Sequence, residues 1–399
     1  MGFGVLLTLF SSFGQTFLIS VFVPRMLGDL SLNEGQFGML YALATLSSAA
    51  CLPYFGRFLD RVSLTRYTLM VGVGLAAACW LVALSPNIPM LFLGILGLRL
   101  NGQGLLTLTA STAMARAFTD LRGRALSLSG VGYPVGESIL PFTVLALIDR
   151  FGWRVSWGML GGVICLVLLP LVVFLLRDYS DVSNVALGRE ATAGSGHRPV
   201  TQARVLRDVR FYLLLPGALT VPFVLTGVFL YQLTLAEFKG WTAAVIAGGF
   251  VVFAVVRLVS LLVGGPVIDK VGALRLFPFS LLPLSLGVGV LAVFKAPLAA
   301  YCFFMLAGLS QGVSSAVMTA VWTELYGRDA IGQVKSLTAM ITVFSTALSP
   351  VVFGWLLAHQ VSFGHILPAL ALLCLCATVI SVLSRLWMTG SGVARTQTA

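Results

Sequence analysis

A chain of 399 residues that is 58% hydrophobic and only 10% charged departs from soluble domains, which are typically about half apolar and a quarter charged. Its 25 basic and 14 acidic residues cannot cover a water-soluble protein of this size, and the mean hydropathy is +0.99. The net charge of +11 lies mostly in alternate loops, which excludes a nucleic-acid surface.

Apolar runs of about 20 residues, each long enough to cross a hydrocarbon layer of roughly 30 Å as a helix, succeed one another along the chain. The first, 4–24, has nothing basic before it and is long for a signal peptide, so it reads as a span. Spans 37–55 and 67–85 flank "GRFLDRVSLT", which carries Gly56, Asp60 and Arg61, with Arg66 just after it. The fourth, 90–114, holds Arg99 within "GLRLNGQG". That stretch lacks the strand-to-helix switch and the Lys/Ser pair of a nucleotide loop. The fifth, 125–148, holds Glu137, and 155–176 is the sixth. Residues 177–209, rich in Gly, Ser, Thr and charge, read as a linker. Spans 210–235 and 243–264 follow, the latter with Arg257, and then "GPVIDKVGAL" with Gly265, Asp269 and Lys270. The remaining spans are 276–294, 297–322, 333–357 and 365–388, with Glu324 closing the tenth.

Eighteen Lys/Arg fall in the loops and tail on the side of both termini and five in the opposite loops, Arg25, Arg150, Arg154, Lys239 and Lys295. This asymmetry predicts that both termini are cytoplasmic. The six cysteines all lie in predicted spans, and Cys374 and Cys376 point about 200° apart on a helix, a poor metal pair. His197, His359 and His365 are scattered, so no metal site or cofactor is expected.

A charge at membrane depth costs at least about 2.5–3.5 kcal/mol, so Arg99, Glu137 and Arg257 are the functional candidates within spans. At 1.5 Å of rise per residue, Arg99 lies roughly 14 Å from one face and Glu137 roughly 18 Å from the other, which predicts a pair, direct or through water. Glu137 reads either as a proton-coupling carboxylate or as a static counter-ion. Arg257 reads as an anion site, since guanidinium pairs bidentately with carboxylate, or as a packing residue bonded to backbone carbonyls.

The chain repeats itself at a spacing of 209 residues: Gly56 and Gly265, Asp60 and Asp269, Arg61 and Lys270, Asp120 and Asp329, Pro141 and Pro350. Arg99, Glu137 and Arg257 have no charged counterpart at that spacing. The repeat predicts an all-α membrane protein of twelve helices, built as two parallel six-helix bundles, 1–176 and 210–399, with a substrate site between them.

Twelve spans with Gly-x-x-x-Asp-Arg/Lys after the second and again after the eighth resemble the major facilitator superfamily over essentially the whole chain. The resemblance implies that Asp60 faces 332–336, that Asp269 faces 123–127, and that Gly56 and Gly265 allow close backbone approach. Glu324 would then partner Lys270 or Arg275, and these groups would gate the cytoplasmic side. It also implies that the first, fourth, seventh and tenth spans line the cavity. There Gln15, Asn101 and Gln311 are the strongest polar candidates, ahead of Ser12, Thr16, Gln103, Thr226, Tyr231, Gln232, Ser314 and Ser315. Arg257, "RGRALSLSG" and "DRFGWRVSW" are similar to the monocarboxylate porter and oxalate/formate exchanger branch, in which the eighth-span Arg contacts substrate carboxylate. The branch's acid one turn before that Arg is Phe253 here, and the first span carries no lysine, so proton coupling, if present, falls to Glu137.

The expected protein is a monomeric, multi-pass secondary transporter of the cell (inner) membrane that moves a small organic anion, such as a monocarboxylate, by alternating access. An exporter of drugs or metabolites in the same superfamily is the alternative. No catalytic constellation marks an enzyme, and the partners implied are the substrate, protons and the bilayer.

Overall fold

The computed structural model describes residues 1–118, 122–177, 205–327 and 331–390. The repeat residues Asp120 and Asp329, residues 178–204 of the expected linker, His197 and the last nine residues lie outside them. No strand occurs among the described residues.

Among the described residues ten helical stretches are long and apolar enough to cross a membrane. One of these, Arg124–Leu175, has 52 residues and would extend roughly 78 Å as a single helix, more than twice the layer. It turns back at Gly152, whose φ of 79° and ψ of 163° suit a residue without a Cβ. It therefore supplies two spans, and the shorter apolar helix Pro278–Val293 completes the expected twelve. In chain order they are α1 Gly2–Asp29, α2 Glu34–Asp60, α3 Leu64–Ala83, α4 Ile88–Ala117, α5 124–151 and α6 153–175. They continue with α7 Val209–Leu230, α8 Ala243–Val271, α9 Pro278–Val293, α10 Pro297–Tyr326, α11 Ile331–Ala358 and α12 Phe363–Gly390.

The described residues pack as two compact units. The first contains α1–α6 together with Phe229–Leu233 and Phe353–Trp355; the second contains the rest of α7–α12. In the first unit Phe22 stacks on the fully buried Trp157 with centroids 4.4 Å apart. The "GWR" that follows the turn ties three helix ends together. Trp153 Nε1 donates to Asp29 of α1 at 2.7 Å, and Arg154 covers the Trp153 ring at 4.3 Å. Arg154 Nη1 also donates to the Ser85 carbonyl, just past α3, at 2.5 Å.

In the second unit Phe211, Phe277, Val317, Val321, Trp322 and Val334 form a buried cluster. Its tightest approach is between α8 and α10. A Cβ on Gly308 would stand 2.6 Å from the Phe253 carbonyl oxygen, and one on Gly312 would stand 2.7 Å from that of Arg257. Apolar side chains gain little by leaving lipid, so small residues that let backbones meet are what join helices here. Lys239, expected as a loop charge, is buried, and its Nζ donates to the Leu291 and Phe294 carbonyls at 2.5 and 3.0 Å. It caps the C-terminal end of α9, where a cation is favoured.

Candidate functional site

Two irregular stretches of the first unit, in α1 and α4, occur where polar residues interrupt an apolar run. In α1 the α-helix ends at Ser11, Ser12–Gly14 form a 3-10 turn, and Gln15 is extended (φ −84°, ψ 150°) before the helix resumes as Thr16–Asp29. Facing this break, α4 is a π-helix over Leu98–Leu106. The two meet backbone to backbone. A Cβ on Gly14 would lie 2.1 Å from the Leu98 carbonyl oxygen and 2.6 Å from the Gln103 nitrogen, and one on Gly102 would lie 2.7 Å from the Gly14 nitrogen. Only glycines fit this contact. The i→i+5 ring of a π turn holds one residue more than an α turn, so Leu98–Leu106 has a different register from the α-helix on either side of it.

The broken α1 exposes a carbonyl, and Arg99 takes it. Arg99 is 5% exposed; its Nη1 donates to the Gly14 carbonyl at 3.2 Å and its guanidinium lies over the Tyr41 ring at 5.2 Å. The Tyr41 hydroxyl is 2.8 Å from Thr16 Oγ1, so Arg99, Tyr41 and the start of the second half of α1 form one cluster. Arg99 Nε has no hydrogen-bond partner. Glu137 is 6% exposed, and the adjacent Gly136 packs on Ser12, where a Cβ would stand 2.3 Å from Oγ. Glu137 is thus beside the same break. The Arg99 guanidinium is held by a carbonyl and a ring rather than by a direct ion pair with Glu137, which is one of the two forms, direct or through water, in which the pair was expected.

Of the expected polar residues, Gln15 is half-buried at the break itself. Asn101 is turned elsewhere: its Nδ2 donates to its own helix at the Gly97 carbonyl, 2.9 Å away, and its Oδ1 lies against Gly74 of α3. Gln232 is buried, and its Nε2 donates to Ser20 Oγ at 2.7 Å and to the Phe17 carbonyl at 3.3 Å. Tyr231, at the kink ending α7, donates its hydroxyl to the Glu34 carbonyl at 2.9 Å. Both belong to the first unit.

In the second unit Arg257 is half-buried on α8, its backbone fixed by the Gly308 and Gly312 contacts. Its guanidinium lies over the Phe253 ring at 6.0 Å. The residue standing where the branch has an acid therefore offers a π face, which attracts a cation. Gln311, half-buried, precedes Gly312 in that contact.

The two repeated phrases adopt different structures. The first is a 3-10 turn, Arg57–Asp60, in which Asp60 pairs with Arg116 at the end of α4. The second is not a loop, because α8 runs on through Asp269 and Lys270 until Gly272, whose φ is 90°, ends it. Glu324 does not pair with Lys270 or Arg275. It accepts from the Ala273 and Leu274 amides at 2.9 and 3.2 Å, since helix starts leave N–H groups that a carboxylate satisfies. Arg61, Asp269 and Lys270 are exposed. Gly56 is close to Leu108 Cδ2, 3.0 Å from where a Cβ would stand, whereas Gly265 has open space there, so the expected close approach is absent at the second glycine. The break in α1, the π-helix and Tyr41 were missed in the sequence. "SSFGQT" and "LNGQG" were the available signals, since each puts glycine and polar residues in mid-span.

The Major Facilitator Superfamily model matches residues 5–350. An uncharacterized MFS-type transporter, YhjX of Escherichia coli (strain K12), is 25% identical over 310 residues, covering 75% of this chain and 73% of the relative. Among solved structures, the nucleoside transporter NupG superposes with a TM-score of 0.69 at 13% identity, over 98% of this chain and 99% of that one. A bacterial homologue of the human lysosomal transporter Spinster, inward-facing and unoccupied, gives 0.67 at 15% identity, over 98% and 96%. At such identities the solved structures speak for the fold alone. The family match spans most of the chain and agrees with twelve helical spans: this is a multi-pass membrane transporter, not an enzyme, and it belongs to the Major Facilitator Superfamily.

Proposed function

We propose that the chain is a secondary transporter of a small organic anion, with Arg257 contacting the substrate's carboxylate. The observation that carries this is the setting of Arg257: a guanidinium within a membrane span, its backbone fixed against α10, resting on the Phe253 ring. Two arginines and one glutamate are the ionisable residues deep in the spans, which gives the embedded charge a positive balance. Arg99 adds to that balance, since a carbonyl and an aromatic face do not cancel its charge. Glu137 serves as the coupling carboxylate, beside the α1 break.

Ligand affinity in purified protein tests this. Acetate, formate and oxalate, each set against a neutral isostere such as acetamide, are measured by calorimetry. Arg257→Lys keeps the charge but loses the two-donor fork and weakens anion binding; Arg257→Gln weakens it further. Neutral isosteres binding as well as the anions, with Arg257→Gln unaffected, would reject the anion and favour the exporter reading.

A further inference from the structure

The second half of α1 begins in mid-span. Thr16–Asp29 is a helix of 14 residues whose first turn receives no hydrogen bond from a capping side chain. Its first amides therefore present partial positive charge within the apolar layer, where anions bind well. A helix start alone does not make a site, but two buried polar groups adjoin this one. Ser12 is 0% exposed and its Oγ has no hydrogen-bond partner. Arg99 is 5% exposed, with Nη1 committed to the Gly14 carbonyl and Nε left without a partner. The Nε edge is one of the two-donor forks by which guanidinium takes a carboxylate. Tyr41 holds this arrangement in register, with its hydroxyl on Thr16 and its ring under Arg99.

We infer that the break in α1 is a carboxylate-binding site in its own right: Arg99 supplies its Nε edge, the first amides of Thr16–Asp29 the second set of donors, and Ser12 a hydroxyl. It deepens the proposed function, of which it is a second anion position, in the first unit rather than at Arg257. The carboxylate has two possible sources, a solute or the chain's own Glu137, which the Gly136–Ser12 contact places beside the break.

The test exploits the helix start itself. Proline is tolerated at the first helical position, and the extended Gln15 before it has the backbone that proline requires of its predecessor. Thr16→Pro therefore removes the hydroxyl and one amide donor, whereas Thr16→Ala removes the hydroxyl alone. Acetate binding to the full-length protein is measured by calorimetry in both variants, in Arg99→Lys and in Arg257→Gln. The expected result is acetate affinity about fivefold weaker in Thr16→Pro than in Thr16→Ala, and at least about tenfold weaker in Arg99→Lys than in wild type. Equal affinities in the two Thr16 variants would overturn the site even if Arg99→Lys fails to fold, and so would a wild type that binds neither acetate nor formate. Tighter acetate binding in Glu137→Gln, with the Thr16 difference retained, would support the site and identify Glu137 as its resident carboxylate. Arg257→Gln separates the two claims: the Thr16 difference persists there if this site exists, whether or not Arg257 binds substrate.

Discussion

Gly14 and Gly265 show how differently the same residue type is used. At Gly14 a methyl group would meet backbone, the Leu98 carbonyl at 2.1 Å, and neither helix has a flexible side chain to move aside. At Gly265 it would meet nothing within 4 Å. Gly14→Ala should therefore cost at least about 1–3 kcal/mol, the usual penalty of overpacking, while Gly265→Ala should be neutral or slightly stabilising through its better helix propensity. Thermal unfolding in detergent compares them, and equal midpoints for the two variants would contradict the packing of the α1 break on α4. Arg99 and Arg257 show the same dependence on surroundings: one is set by a freed carbonyl, the other by a ring. Their presence was legible in the sequence because charge is rare inside spans. Their partners were not, because a break and a π turn change which residues face each other.

At the scale of elements, helix number and order were legible because apolar runs of membrane length dominate the chain. The departures came where a helix runs on past its expected end or changes register. α8 absorbs the second Gly-x-x-x-Asp-Lys phrase, although the span was expected to end at residue 264; Gly272 is the true stop. Asn101, within the π-helix, bonds the Gly97 carbonyl of its own helix and lies against Gly74 of α3, neighbours that periodicity alone did not indicate. The repeated phrases are anchored by unlike devices: an exposed ion pair, Asp60–Arg116, in the first unit and a carboxylate on backbone amides, Glu324 on Ala273 and Leu274, in the second. Exposed ion pairs are worth about 0–1 kcal/mol and helix-start acceptors about 0.5–2 kcal/mol. Glu324→Ala should accordingly lower the unfolding midpoint more than Asp60→Asn does. The reverse order would mean that Asp60, not Glu324, is the stronger anchor.

For the whole molecule, superfamily membership follows from a match across most of the chain, and the sequence repeat had already pointed to it. Orientation is a separate proposal, resting on eighteen basic residues in one set of loops and tail against five in the other. A reporter after Arg395 or near Gly194 should be cytoplasmic and one near Pro86 on the far side; a cytoplasmic Pro86 would reverse the assignment. The substrate was the least legible property, because it depends on how the surroundings hold the embedded charges rather than on which charges are present. The most direct measurement is exchange in proteoliposomes: vesicles loaded with unlabelled acetate, formate or oxalate, then given the labelled compound outside, with acetamide as the neutral comparison. The account predicts exchange of at least one of the carboxylates, none of acetamide, and loss of carboxylate exchange in Arg257→Gln protein that still inserts and unfolds cooperatively. Acetamide exchange equal to that of the carboxylates, undiminished in Arg257→Gln, would contradict it.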